Sequence, residues 1–250
     1  MKYFNKLLVI LVLIASAPVF AKENLPLTWT PMIDSKLAQQ QMGTIEAALS
    51  IVLQSTEFGV KFAQSKNRDA NIVIRFTDRA TLRANSTIPG ETQFMDNLDG
   101  DGFSILSAST TKRMVIVNIF LDDVFFEKTV LGESERKDAF TRLAVVLGHE
   151  LYGNAVTLLR RFNPAWFADR SQEALLRIQY RSEILAFQAG TRFIDRMLKV
   201  ALPSKIKSDF EAARQREIAL LRSFEEKARE FGLSPEQIVE DPLQKPISGG

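Results

Sequence analysis

The 250-residue chain has 32 lysine and arginine residues against 30 aspartate and glutamate residues, no cysteine, and one histidine, His149. The absence of cysteine excludes disulfide bonds, thiolate metal ligands and cysteine nucleophiles. No basic stripe of the kind that binds nucleic acid is visible, so we expect no nucleic-acid partner. With a single histidine and no nucleophile-elbow motif around any serine, a Ser-His-Asp triad is not predicted.

Residues 1–21 have the pattern of a signal peptide. Lys2 and Lys6 precede the apolar run Leu7–Ala17, and Val19–Ala21 provides a cleavage site. The run is short for a membrane span, which needs about 20 residues. We therefore expect an exported protein, periplasmic or secreted, with no membrane span after cleavage. Without those two lysines the 32 basic residues become 30 against 30 acidic residues, so the mature chain is close to neutral.

The first half of the mature chain predicts a small sheet. Its strands are predicted from β-branched runs at 71–76, 103–109 and 113–121. The last run is almost wholly apolar, so we expect it to be a central strand. Residues 22–34 predict an irregular lead-in and 122–135 a connection. Helices are predicted over 35–55, from the spacing of its apolar residues, and over Glu57–Gln64.

The second half predicts three helices. The helix from about residue 135 to Asn163 is apolar nearly all round and is therefore expected to be buried. A long helix over 171–200 starts at Ser171, and a charged helix over 205–231 ends at Gly232. We expect one domain over 22–240, with a core at 71–200, a helical extension at 201–240 and a disordered tail at 241–250.

The buried helix carries the pair His149-Glu150, which resembles the metal-binding helix of zincin metallopeptidases. That helix reads His-Glu-x-x-His, because histidines one turn apart place two imidazoles on one face. Here the fifth position is Gly153, so the motif is degenerate. The resemblance implies that His149 is a zinc ligand and that Glu150 is the general base for peptide hydrolysis.

The run His-Glu-Leu-Tyr-Gly-Asn is more similar to the dipeptidyl-peptidase III type, whose helix reads His-Glu-x-x-Gly-His. In that alignment Asn154 occupies the position of the second histidine and is the candidate second ligand. Positions i and i+5 point about 140° apart on a regular α-helix. A π-type bulge, which Gly153 would ease, could bring them together.

A third ligand is predicted on the next helix. In gluzincins that helix supplies a glutamate within Glu-x-x-Ala, and Glu183 begins such a run. Antiparallel packing of the two helices would bring Glu183 near His149. Tyr180 lies one turn before Glu183 and is the candidate that would polarise a substrate carbonyl. The resemblance covers residues 71–189 and implies an α+β zincin-like fold, in which a small sheet packs on a buried active-site helix followed by long helices.

Simpler interpretations stand beside these. In one, His149 and Glu150 form a buried polar pair satisfied by Arg142 or Arg177, and in another Glu183 only pairs with an arginine of its own helix. The run Asn97–Gly102 invites a calcium-loop interpretation, but it lacks the initial aspartate and the final glutamate of an EF-hand.

Three functional hypotheses follow. The first is an exported zinc metallopeptidase-like protein with His149, Asn154 and Glu183 as metal positions and Glu150 and Tyr180 as catalytic residues. The second is an inactive zincin-like protein that binds a peptide or a partner protein. The third is an unrelated envelope protein with an accidental His-Glu pair. The sequence leaves the substrate, the metal and the oligomeric state open.

Overall fold

The computed structural model describes residues 27–55, 60–65, 70–86, 100–108, 113–161 and 172–233. Its strands are β1 Leu27–Ile33, β2 Phe62–Gln64, β3 Ile72–Thr77, β4 Gly102–Ala108, β5 Arg113–Phe120, β6 Phe126–Thr129 and β7 Gly132–Glu135. Its α-helices are α1 Lys36–Gln40, α2 Met42–Gln54, α3 Arg79–Asn85, α4 Leu121–Phe125, α5 Ala139–Gly148, α6 Gln172–Met197 and α7 Ser204–Glu230. Two π-helical segments, His149–Ala155 and Thr157–Arg161, follow α5.

Five strands form one mixed sheet in the order β2-β1-β3-β5-β4. The first four of these run parallel, and β4 runs antiparallel to β5. The predicted strands at 71–76, 103–109 and 113–121 are confirmed within a residue or two, and β5 lies inside the sheet as expected. Consecutive residues of β5, from Val115 to Phe120, are all buried because both faces of the sheet are covered.

Two predictions for the N-terminal part are wrong. The expected irregular lead-in contains β1, and the end of the expected second helix is the strand β2. Pro31 disfavours a strand, since proline has no N–H to donate to a neighbouring strand. In the described part of the chain, β2 pairs with Leu27–Trp29 and does not reach Pro31, which has a strand neighbour there on the β3 side alone.

The predicted connection over 122–135 also has regular structure. It contains α4 and the two-stranded hairpin β6–β7. Val130 and Leu131 form the turn and are fully exposed, and Gly132 has a φ of 127°, which suits glycine. Sequence patterning missed this hairpin because its strands bury almost nothing and so show no apolar alternation.

The predicted buried helix is confirmed, with a change of geometry at His149. One hydrophobic core unites the sheet with α2, α5, the first π-helix and α6. The fold is thus a mixed α/β structure with a mixed sheet and long C-terminal helices, as the sequence predicted at that level of detail.

Glycines let α6 approach the helix that carries the His-Glu pair. A Cβ on Gly153 would lie 2.3 Å from the Cα of Ala186, and a Cβ on Gly148 would lie 3.0 Å from the ring of Phe193. The first distance is impossible for a real side chain, so Gly153 is required by the helix crossing.

The two long helices fall where the sequence predicted them. The second of them ends just before Gly232, whose φ of 72° lies in the left-handed region, and Leu233 N–H donates to the Ala228 carbonyl. The predicted signal peptide, the cap at Ser171 and the predicted tail lie outside the described residues. Within the described ranges, no helix is both long and apolar enough to cross a bilayer.

Candidate functional site

A cavity of about 460 Å³ opens between β4, the first π-helix, α6 and α7. It is lined by both members of the His-Glu pair and by Glu183. Its apolar wall includes Val145, Val146, Leu158, Phe187, Leu220 and Phe224. A cavity of this size, with an apolar wall and polar side chains that converge on it, is typical of ligand sites.

His149 lies between two carboxylates. Its Nε2 is 3.4 Å from Oε2 of Glu183 on α6, and its Nδ1 is 3.8 Å from Oε2 of Glu217 on α7. The edge of the ring meets Phe187 at a centroid distance of 4.6 Å. The approach of Glu183 to His149 that the helix order predicted is therefore present, whereas their role as metal ligands stays a prediction.

The environment favours a charged imidazole. Burial alone would lower the pKa of His149, but the carboxylates of Glu183 and Glu217, together with the charge of Glu150, raise the pKa well above its ordinary value. The protonated form of the ring is therefore favoured, with a carboxyl group facing each ring nitrogen.

Glu150 is held by neutral donors. Its Oε2 accepts a hydrogen bond of 2.6 Å from Ser104 Oγ on β4 and one of 3.1 Å from Asn154 Nδ2. The residue is only 4% exposed. Burial raises the pKa of Glu150, and the charge of His149 and these two hydrogen bonds offset that effect only in part.

Asn154 is fully engaged in this network. Its Nδ2 donates to Glu150, and its Oδ1 accepts a 3.0 Å hydrogen bond from Ser182 Oγ. Asn154 follows Glu150 by four residues and so lies on the same face of the helix, and its amide oxygen accepts from the Ser182 hydroxyl. Its assignment as the second metal ligand stays a prediction.

Tyr180 lies away from the cavity wall. Its ring packs on Phe231 at 5.3 Å and on Phe224 at 6.1 Å between centroids, and it is not among the described residues that line the cavity. Burial, with the charge of Glu230, raises the pKa of Tyr180, so the phenol is neutral. Its catalytic role remains untested.

Arg142, the candidate partner of the His-Glu pair, forms an ion pair with Asp101 of the run Asn97–Gly102. Arg142 donates from Nη2 to Asp101 Oδ1 at 2.6 Å, and its Nε lies 2.5 Å from Oδ2. Arg142 therefore does not neutralise the His-Glu pair. Asn97 and Asp99 of the supposed calcium loop, and the side chain of Arg177, lie outside what the structure describes.

The donor set fits a catalytic zinc ion only in part. Two tetrahedral zinc ligands lie about 3.3–3.5 Å apart, which matches the 3.4 Å between His149 Nε2 and Glu183 Oε2. A catalytic zinc also needs a third protein ligand. In the described part of the chain, no three histidine, aspartate or glutamate side chains are grouped so that they could hold a metal ion.

Sequence reasoning missed three residues of the site. Ser104 and Ser182 bond to the Glu150 network, and Glu217 faces His149. Ser182 precedes the predicted ligand Glu183, and that adjacency was the only available signal. Glu217 lies in a helix full of exposed charges, where nothing local distinguishes it.

Comparisons of this chain with models of protein families, with curated proteins and with solved structures found no match.

Proposed function

We propose that this chain is an exported, metallopeptidase-like protein that binds an extended peptide in the cavity and does not hold the zinc ion of an active peptidase. The observation that carries the proposal is that neither position 153 nor Asn154 offers a free side chain as a second zinc ligand. Gly153 has no room for any side chain against Ala186, and the Asn154 amide is bonded to Glu150 and Ser182. Export is inferred from the signal-peptide pattern alone.

Peptide binding is supported by the strand that lines the cavity. β4 is an edge strand of the sheet as far as the structure describes it, and Gly102, Phe103 and Ser104 face the cavity. One side of its backbone is thus without a strand partner among the described residues. An extended peptide can add to such an edge through main-chain hydrogen bonds, while apolar pockets take its side chains.

Metal content tests the first part of the proposal. Residues 22–250 would be incubated with zinc, freed of unbound metal by gel filtration and analysed by elemental mass spectrometry, with His149→Ala as the matched control. We expect far less than one zinc per chain in both samples. Near-stoichiometric zinc that disappears in the control would overturn the proposal.

Peptide binding tests the second part. The probe is a set of fluorescein-labelled casein peptides, and the readout is fluorescence anisotropy. Leu220 lines the cavity and is 45% exposed, so Leu220→Arg should weaken binding without disturbing the core. Val200, 53% exposed and absent from the cavity lining, provides the matched control Val200→Arg. A wild-type protein that binds none of these peptides would contradict the proposal.

A second candidate function is a metal-dependent peptidase. It is favoured by the tetrahedral spacing between His149 Nε2 and Glu183 Oε2 and by the buried carboxylate of Glu150 beside them. Hydrolysis of the casein peptides that requires added zinc and is lost in Glu150→Gln would select this function over the first.

A further inference from the structure

Glu217 is a largely buried carboxylate that forms an ion pair with His149. Its side chain is 12% exposed, and its Oε2 has no hydrogen-bond partner within the described ranges. That oxygen lies 3.8 Å from His149 Nδ1, which is an ion-pair distance and not a hydrogen bond. A buried carboxylate oxygen without a donor is costly, so the facing imidazole ring of His149 accounts for its position.

A glycine on α6 makes room for this contact. A Cβ on Gly190 would lie 2.8 Å from Oε2 of Glu217 and 3.7 Å from Cβ of His149. Any side chain at this position would displace the carboxylate. The α6 helix therefore leaves a gap through which α7 reaches the ring.

The anchoring of α7 at both ends fixes Glu217 in this gap. Phe210 and Ala213 are buried in the main core, and Ala228 is buried in a second cluster with Ile184. Glu217 follows Ala213 by one helical turn and so lies on the same face. The contact is a consequence of how the whole helix docks.

We propose that Glu217 is a positioning residue of the cavity site: from α7 it fixes the imidazole of His149 on the Nδ1 side, so that Nε2 remains directed at Glu183. The site then extends beyond residues 71–189, the part of the chain that resembles metallopeptidases. The α7 helix is a wall of the site and not an appended extension. This inference deepens the proposed function, on which its significance for ligand binding rests.

A purely structural ion pair would tie α7 to the core without preference for one ring nitrogen. A positioning role predicts that the two nitrogens depend on different carboxylates. Because His149 is the only histidine, its imidazole gives one set of nitrogen signals in a ¹⁵N-labelled sample. Long-range ¹H–¹⁵N spectra distinguish Nδ1 from Nε2 without further assignment.

The experiment compares Glu217→Gln, Glu183→Gln and the exposed control Glu211→Gln, which lies on the same helix as Glu217. We expect Glu217→Gln to shift mainly the Nδ1 signal, Glu183→Gln mainly the Nε2 signal, and Glu211→Gln neither. Equal shifts of both nitrogens in Glu217→Gln, or an unchanged spectrum, would overturn the inference.

Gly190→Ala gives an independent test that keeps the charge. Alanine favours the helix, and the new methyl group must push the Glu217 carboxylate away from the ring. We expect a folded protein with a shifted Nδ1 signal, and a wild-type Nδ1 signal would contradict the inference even if Glu217→Gln fails to fold.

Anisotropy with the casein peptides separates the two proposals. If Glu217 positions His149 for ligand binding, Glu217→Gln should bind the peptides several-fold more weakly than Glu211→Gln does. Wild-type protein that binds no peptide would overturn the proposed function, while the imidazole spectra would still decide the role of Glu217.

Discussion

His149 and Glu150 are neighbours on one π-helix but are buried with opposite kinds of partner. Glu150 is a nearly inaccessible carboxylate that accepts hydrogen bonds from neutral groups, Ser104 and Asn154. His149 is an imidazole with a carboxylate facing each ring nitrogen, one from α6 and one from α7. The pair is therefore divided between a neutral network on the sheet side and a charged cluster on the helix side.

We call the hydrogen bonds around Glu150 the Glu150 half of the site, and the ring of His149 with its two carboxylates the His149 half. The two halves depend on different forces. The Glu150 network depends on short hydrogen bonds, and the His149 cluster depends on the protonation of the ring. The α6 helix serves both halves, because Ser182 bonds to Asn154 and its neighbour Glu183 faces His149. Changes that move α6 should disturb both halves, and changes to a single partner should disturb one.

The largest effect on the free energy of unfolding is expected from Gly153→Ala, which pushes α6 away from both halves of the site. The new Cβ would meet the backbone of Ala186 at 2.3 Å, so the helices must move apart. We expect a loss of about 3 kcal/mol in the free energy of unfolding, measured by urea denaturation. The control is Gly43→Ala, where nothing lies within 4 Å and alanine should stabilise α2 by up to about 1 kcal/mol.

Equal stability of Gly153→Ala and wild type would show that α6 does not depend on this crossing. The same clash predicts that Gly153→His, which rebuilds the zincin motif, does not rebuild a metal site in this fold.

Ser104→Ala should break the Glu150 half alone. It removes the 2.6 Å hydrogen bond to a buried carboxylate, at a cost of about 2 kcal/mol in the free energy of unfolding. In a Glu150→Gln background the same change should cost less, because no charged acceptor remains. Ser208→Ala, at an exposed position on α7, is the control. Identical losses in both backgrounds would mean that Ser104 acts independently of Glu150.

The His149 half should make stability depend on pH. Because the pKa of His149 is raised in the folded protein, the folded state holds the proton more tightly than the unfolded state does. That stabilisation is complete below the unfolded pKa of about 6.5 and is lost as pH rises through the folded pKa, by at most about 1.4 kcal/mol per pH unit.

The measurement is the free energy of unfolding between pH 6.5 and 8.5 in the presence of EDTA, with His149→Gln as the comparison. No other histidine titrates in this window, so the slope should be smaller in the variant. Parallel curves for the two proteins would show that the ring is not held as a cation.

The smallest effect is expected from Tyr180→Phe, which touches neither half. The ring contacts with Phe231 and Phe224 are kept, so stability should change by less than about 0.5 kcal/mol and peptide affinity should be unchanged. Loss of peptide binding or of hydrolysis in this variant would show that Tyr180 takes part in ligand binding or catalysis.

The sequence by itself determined the strands and helices in which apolar residues recur at a regular spacing. Runs of β-branched residues fixed β3 and β5, and the apolar spacing fixed the buried helix and the two long helices. The resemblance of the Glu183 run to the gluzincin pattern, together with the order of these helices, predicted that Glu183 approaches His149. Elements with weak local patterns were not predicted. These are β1, which contains a proline, and the exposed hairpin β6–β7.

Only the tertiary structure decided what the His-Glu pair is surrounded by. Asn154 donates to Glu150 and accepts from Ser182 on α6. Gly153 lies against Ala186 where the helices cross, and Glu217 reaches His149 through the gap at Gly190. The physical reason is that residue spacing encodes which face of an element is buried. It does not encode which distant helix will cover that face, or which charge that helix will carry.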